Sequence, residues 1–210
     1  MTWRKRIFDL FFASLLVIIL GPILIGLVVW LLIKEGRPIF HVAERMKAPG
    51  VPFRLWKLRT MTVVEEDQGV SGGDKAARIT PTGRWLRSKR LDEFPQLWNI
   101  LRGDLSFVGP RPPLREYVER FPDLYGEVLK SRPGVTGLAT IRFHAHEERL
   151  LQRCKNPQET DDVYCRICIP RKAELDLIYQ RHQSTCYDFD LVFQTIGNLF
   201  HGRRSAKNRP

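Results

Sequence analysis

Cysteine is scarce and confined. The 210-residue chain has four, Cys154, Cys165, Cys168 and Cys186, all in its last third. A CxxC with two outlying cysteines permits a tetrahedral zinc site there, with His144, His146 and His182 as substitute ligands. The spacing matches no standard finger, and the plainer reading is four small hydrophobes in a reducing compartment. Acidic residues are also short, with 23 Asp and Glu against 34 Lys and Arg, a formal net charge of +11. That imbalance suits an anionic partner: nucleic acid, a membrane surface or a phosphorylated substrate. Nucleic-acid binding would need a recognition helix or aromatic residues interleaved with the cations. Neither stands out, so no nucleic acid is expected. No Gly-Lys-Ser/Thr ending follows a glycine-rich loop, which excludes a P-loop. No small-residue cleavage site follows the N-terminal apolar run, so no cleavable secretion signal is expected.

What is present begins with that run. Ile7 to Ile33 is almost continuously apolar, interrupted only by Asp9 and Ser14. At about 1.5 Å per residue it is long enough to cross a bilayer as one tilted helix. Two features oppose a simple span. Gly21-Pro22 sits near the middle, where proline removes a backbone donor and bends or breaks a helix. Both flanks are basic, Arg4, Lys5 and Arg6 before and Lys34 and Arg37 after, although positive charge stays cytoplasmic. A bent hairpin that enters and leaves through one leaflet keeps both flanks on the same side. The residues alone leave span and hairpin both open. Trp3 and Trp30 suit interfacial anchoring in either case.

Pro38 to Ala43 and Pro52 to Leu58 read as two short strands joined by Ala48-Pro49-Gly50. Lys57 and Arg59 end the second strand, either as charges guarding an exposed edge or as phosphate-binding side chains. Thr62 to Gly83 reads as a mobile polar loop. Thr80-Pro81 then looks like a helix start, with a cap followed by proline in the first turn. That helix carries Arg84, Arg87, Lys89 and Arg90. A second helix is expected near Phe94-Pro95, with Leu91, Phe94, Leu97, Trp98 and Leu101 on one face. Asp92 and Glu93 sit at its start. There they are either ordinary first-turn acids or a reactive pair, since a carboxylate can attack phosphorus and a neighbouring one can hold Mg²⁺. The Gly109-Pro110-Arg111-Pro112-Pro113 turn presents one more arginine.

Taken in order, these segments resemble a known family. The apolar N-terminus, Lys57-Leu-Arg-Thr-Met61, Arg87-Ser-Lys-Arg-Leu-Asp-Glu93, Pro95-Gln-Leu-Trp-Asn99, Gly103 to Pro112 and Arg132-Pro-Gly-Val-Thr-Gly137 together resemble bacterial sugar transferases. More narrowly, they resemble the small monotopic polyprenyl-phosphate phosphoglycosyl transferases. The likeness resumes, more weakly, at Glu174-Leu-Asp-Leu-Ile-Tyr179. It implies transfer of a phosphosugar from a UDP-sugar to undecaprenyl phosphate, giving undecaprenyl-diphospho-sugar and UMP. Asp92 would be the nucleophile and Glu93 the Mg²⁺ ligand. Lys57, Arg59, Arg87, Arg111, Arg132 and Arg142 would bind substrate. The resemblance also implies an N-terminal helix broken at proline and re-entrant in the inner membrane. The catalytic domain would then lie on the cytoplasmic face, against anionic lipid, supplying downstream glycosyltransferases.

The chain departs from the family after Gly137. Leu138 to His146 replaces the usual segment, and either Arg142 or His144 stands in for the usual arginine. The stretch of about 144–171 reads as a cysteine-containing insertion. Pro170 to His182 and Phe189 to Phe200 are expected as helices, the second with an apolar stripe suited to core packing or to a membrane interface. The expected fold is α+β and mainly helical with a short β-hairpin. It comprises a re-entrant helix-break-helix over 1–36, a cytoplasmic catalytic domain with interfacial amphipathic helices over 37–201, and a basic disordered tail over 202–210.

Overall fold

The computed structural model describes residues 2–63 and 77–201. Its first element, α1 (Trp3–Glu35), is one 33-residue helix with Pro22 inside it. A helix-break-helix was expected, yet Gly21-Pro22 does not interrupt the helix. The Thr2 side chain caps its start, and Gly36, at φ +69°, ends it by donating its N–H to Leu32 O. Both ends of α1 pack on the same folded body. Lys5, Asp9 and Ala13 are buried at one end and Leu31 at the other, and no residue between Ala13 and Leu31 is buried. The exposed stretch is strongly apolar, with Ile18 74% and Ile25 67% exposed.

Polar contacts fix the first end. Lys5 Nζ forms a fully buried ion pair with Asp188 Oδ2 at 2.5 Å and also donates to the Tyr179 hydroxyl at 3.2 Å. That hydroxyl lies 2.6 Å from Asp188 Oδ1 and 3.2 Å from Val108 O. Arg6 donates to the carbonyls of Ile100 and Leu101, where a helix C-terminus leaves acceptors unpaired. Asp9 Oδ1 accepts from the Ser106 hydroxyl and the Phe107 N–H.

The hairpin forms from β1 (Phe40–Ala48) and β2 (Val51–Leu58), antiparallel, with Phe40 opposite Leu58. The turn at Pro49-Gly50 is where glycine and proline predict it. The first strand, expected over 38–43, begins later and runs on to Ala48. Its charged residues Glu44, Arg45 and Lys47 pair along the ladder or at its bulge rather than ending it. Of the expected loop, residues 64–76 lie outside those described. Met61 bridges Ile79, and α2 (Pro81–Ser88) begins with the Thr80 side chain accepting from Gly83 N.

Helix α3 (Gln96–Arg102) buries a different face from the one its apolar spacing predicts. Gln96, Asn99 and Ile100 turn inward, while Trp98 is 54% exposed. Asn99 explains the rotation. Its Oδ1 accepts from Trp56 N at 3.2 Å and its Nδ2 donates to Arg54 O at 2.7 Å, so one amide completes the free edge of β2. Replacing Asn99 with Ala leaves both backbone groups without that partner. The expected cost is about 1–3 kcal/mol, read as a lower thermal midpoint in detergent; a variant as stable as the wild type would contradict this role.

Two short strands, β3 (Ser106–Val108) and β4 (Gly134–Thr136), pair in parallel. Between them lie α4 (Arg115–Arg120) and α5 (Pro122–Val128). After them come α6 (Leu138–Leu151), α7 (Pro157–Val163), a π-helical turn at Tyr164–Cys168, α8 (Ile169–His182) and α9 (Thr185–His201). The segment read as an insertion is therefore helical and built into a core. Tyr164, Cys168 and Ile169 pack with Met46, Tyr117 and Phe143. A second core joins α1 to the hairpin and α3 through Ala13, Phe53, Leu55, Ile100 and Leu105. The proposed tail at 202–210 lies outside the described residues.

Candidate active site

Chain geometry between α2 and α3 sets the adjacent acids. Arg90 takes a left-handed conformation, φ 56° and ψ 20°, which is uncommon for a residue bearing a side chain. A single 3₁₀ turn, Leu91–Glu93, follows and buries Asp92. Glu93 is surrounded by cations. Lys57 Nζ lies 3.0 Å from Oε1, Arg111 Nη2 3.5 Å from Oε1 and Arg90 Nη1 3.4 Å from Oε2. Among the described residues no cation stands within ion-pair distance of Asp92, although the Lys57 and Arg87 charges act on it from further off. Arg87 is steered by Thr60, whose hydroxyl accepts from Nε at 2.8 Å.

The two acids titrate in opposite directions. Burial, with the Glu93 charge added, raises the Asp92 carboxyl above the usual aspartate value; Lys57 and Arg87 pull the other way. Burial also pushes Glu93 up, but Lys57, Arg111 and Arg90 outweigh it and hold that carboxyl far below the usual range. Burial lowers the Lys57 ammonium against the opposing pull of Glu93. Glu93 is thus a fixed anion, while Asp92 is a carboxylate without a close counter-charge. Perturbed, neighbouring groups of this kind mark functional sites.

The turn carrying Arg111 is fixed by glycine contact. Gly109 N donates to Thr136 O at 2.9 Å and Gly134 N to Pro110 O at 2.8 Å. A Cβ at Gly109 would overlap Arg132 O, one at Gly134 would overlap Gly109 N, and one at Gly137 would overlap Gly109 O. The seam where two backbones touch explains why glycines recur in both stretches.

A model described as bacterial sugar transferase matches residues 1–202. The chain belongs to that family. It is 34% identical over 196 residues to a UDP-glucose:undecaprenyl-phosphate glucose-1-phosphate transferase of Klebsiella pneumoniae, covering 91% of this chain but 39% of the relative. It is 38% identical over 201 residues to a Caulobacter vibrioides protein of the same name, covering 93% of this chain and 69% of the relative. An undecaprenyl-phosphate galactose phosphotransferase of Salmonella typhimurium is 34% identical over 151 residues, covering 64% of this chain and 31% of that protein. The chain spans about two fifths of the length of the Klebsiella relative.

Not every residue that the resemblance to bacterial sugar transferases singles out reaches the acids. Lys57, Arg87 and Arg111 do. Arg59 instead caps the end of α1, donating to Glu35 O at 2.8 Å and Gly36 O at 3.3 Å. Arg132 sits beside Gly103 and Arg6, with Arg6, Asp9 and Asp104 as its charged neighbours. It supports α1 and α3 and does not join the Asp92-Glu93 pair. Arg142 is exposed on α6, whereas His144 on the same helix has Arg90 and Arg111 among its charged neighbours. Of the two replacements for the family arginine, His144 is the one beside the site.

The cysteines are distributed rather than gathered. Cys154 and Cys168 are buried, Cys165 touches Arg120 and Asp161, and Cys186 is exposed on α9. Among the described residues no three His, Cys, Asp or Glu side chains form a group that could hold a metal, which removes the geometric basis for a zinc site. Sequence reasoning also missed Thr60 and Asn99, two polar residues whose partners lie far along the chain. It saw Lys5 and Asp9 only as a flank and an interruption. A charged residue at the edge of an apolar run, opposite a distant Asp188, was the available signal.

Proposed function

We propose that this protein transfers a phosphosugar from a UDP-sugar to undecaprenyl phosphate, giving undecaprenyl-diphospho-sugar and UMP. The observation that carries this reading is the division between adjacent acids: Glu93 neutralised by three cations, Asp92 buried beside it with no ion-pair partner. Asp92 attacks the phosphorus that bears the sugar; an Asp–O–P bond forms and the bond to UMP breaks. The lipid phosphate then attacks the same phosphorus and frees the carboxylate. The Asp92 carboxylate is only 7% exposed, which limits access of water to the hydrolysable acyl phosphate. Lys57, Arg87, Arg90 and Arg111 stabilise charge on the transferring group.

The donor set fits Mg²⁺, which is commonly held by one or two carboxylates with substrate phosphates and water completing its shell. Glu93 would hold it, with Arg90, at 3.4 Å, giving way. When bound, the ion supplies positive charge to the diphosphate.

The membrane arrangement follows from α1. Both of its ends pack on one polar body, and its apolar middle is exposed; a span would separate those ends by the ~30 Å hydrocarbon core. These features support a helix that dips into the inner membrane and returns, with residues 37–201 as the catalytic domain on the cytoplasmic face. Trp30, Trp85 and Trp98, all exposed, suit the interface. Anionic lipid there attracts the basic surface. The product would feed downstream glycosyltransferases that build a surface glycan.

The test is a panel of UDP-sugars given to purified protein with undecaprenyl phosphate. UMP release is expected with at least one sugar and is expected to stop when EDTA removes Mg²⁺. No release across the panel would sink the proposal.

A further inference from the structure

The described site has three walls: the 3₁₀ turn with Arg90, the turn with Arg111, and one face of α6. The third wall has no task in the reaction above. On α6, His144, Glu147 and Glu148 share a face by their spacing of three and four residues. Glu147 fixes the orientation of that face. It is bound by Lys172 Nζ at 2.8 Å, itself 3.2 Å from the Tyr164 hydroxyl, and it is among the charges acting on Arg111. His144, one turn earlier, is exposed and is acted on by Arg90 and Arg111 from the opposite walls and by Glu147 and Glu148 from its own helix. The site cations are Lys57, Arg87, Arg90 and Arg111 against the two acids, an excess of positive charge that an anionic substrate would balance.

We propose that His144 hydrogen-bonds the diphosphate of the bound nucleotide sugar and takes up a proton as that diphosphate arrives. The proposal rests on the function argued above and adds a residue and a proton to substrate binding. In the free protein, desolvation first, then Arg90 and Arg111, keeps the imidazole below its ordinary value and hence neutral near pH 7. A bound diphosphate brings negative charge that offsets those cations, so the imidazole gains affinity for a proton. The proton comes from solvent and no covalent bond changes. The sign follows: substrate binds more tightly below the bound-state pKa, and affinity falls as pH rises from the free-state to the bound-state value. Within that window the change is up to about tenfold per pH unit. An arginine at the same place would carry its charge throughout and show no such dependence.

The experiment measures binding without turnover, using Asp92→Asn protein in detergent with Mg²⁺. UDP-glucose and UDP-N-acetylgalactosamine are the probes, because their diphosphates do not titrate near neutrality. Calorimetry in buffers of different ionisation enthalpy counts protons taken up on binding. The expected result is net uptake in the Asp92→Asn protein. That uptake should vanish in Asp92→Asn/His144→Gln and in Asp92→Asn/His144→Arg, with the Arg variant retaining affinity at higher pH. Equal uptake with and without His144 would overturn the assignment while leaving the function standing. No binding of either probe to any variant would overturn both.

Discussion

Asp92→Asn protein is expected to release no UMP from a UDP-sugar in the presence of undecaprenyl phosphate and Mg²⁺, a loss on the order of 10⁴-fold or more. The amide keeps the shape of the side chain but cannot displace UMP, so no covalent intermediate forms. Substrate binding is expected to persist, since Lys57, Arg87, Arg90 and Arg111 are untouched. The pH profile of the wild type gives a second measurement. The Asp92 carboxyl is raised by burial and by Glu93, and only its ionised form attacks. Activity should therefore fall as pH drops through a value above the ordinary aspartate range. Lys57→Met should move that acid limb to still higher pH, because the lysine charge opposes the rise. Full activity in Asp92→Asn would end its assignment as nucleophile.

Breaking the Lys5–Asp188 pair is expected to cost about 3–5 kcal/mol, because the remaining partner becomes an uncompensated buried charge. The two side chains are 4% and 2% exposed, so water cannot replace the lost partner. Asp188→Asn leaves an ammonium facing Tyr179, and Lys5→Met leaves a carboxylate there. Each should lower the thermal midpoint in detergent and expose the junction of α1 and α9 to protease. Changing both residues at once, Lys5→Met with Asp188→Leu, should recover much of the loss, as apolar replacements of buried pairs often do. The double variant separates an electrostatic latch from general packing. If each single variant lay within ~0.5 kcal/mol of the wild type, the ion pair would be ordinary surface decoration.

Local chemistry made the hairpin, the caps and the site turn legible. Pro49-Gly50 and Thr80-Pro81 act through their own backbones, so neighbouring residues suffice to read them. Helix α3 was read with the wrong face inward because apolar spacing cannot reveal that β2 needs an amide along its edge, which Asn99 supplies. The same limit applies to Arg59 and Arg132. Their charge suited phosphate, but the groups they meet, α1 carbonyls and the Arg6–Gly103 corner, lie elsewhere in the chain. Lys57, Arg87 and Arg111 were legible because an ordered set of motifs specified them, where composition alone did not. The four cysteines show the converse: a ligand-like pattern with no converging geometry.

The glycine seam between the strand ends has a consequence for sequence change. Any base substitution that replaces a glycine codon at 109, 134 or 137 introduces at least a Cβ, and each Cβ meets backbone atoms that have no alternative rotamer. The seam therefore offers no graded path of slightly larger side chains. Variation in this enzyme can accumulate on the exposed faces of α6 and α9, while the corner that aims Arg111 stays closed to drift.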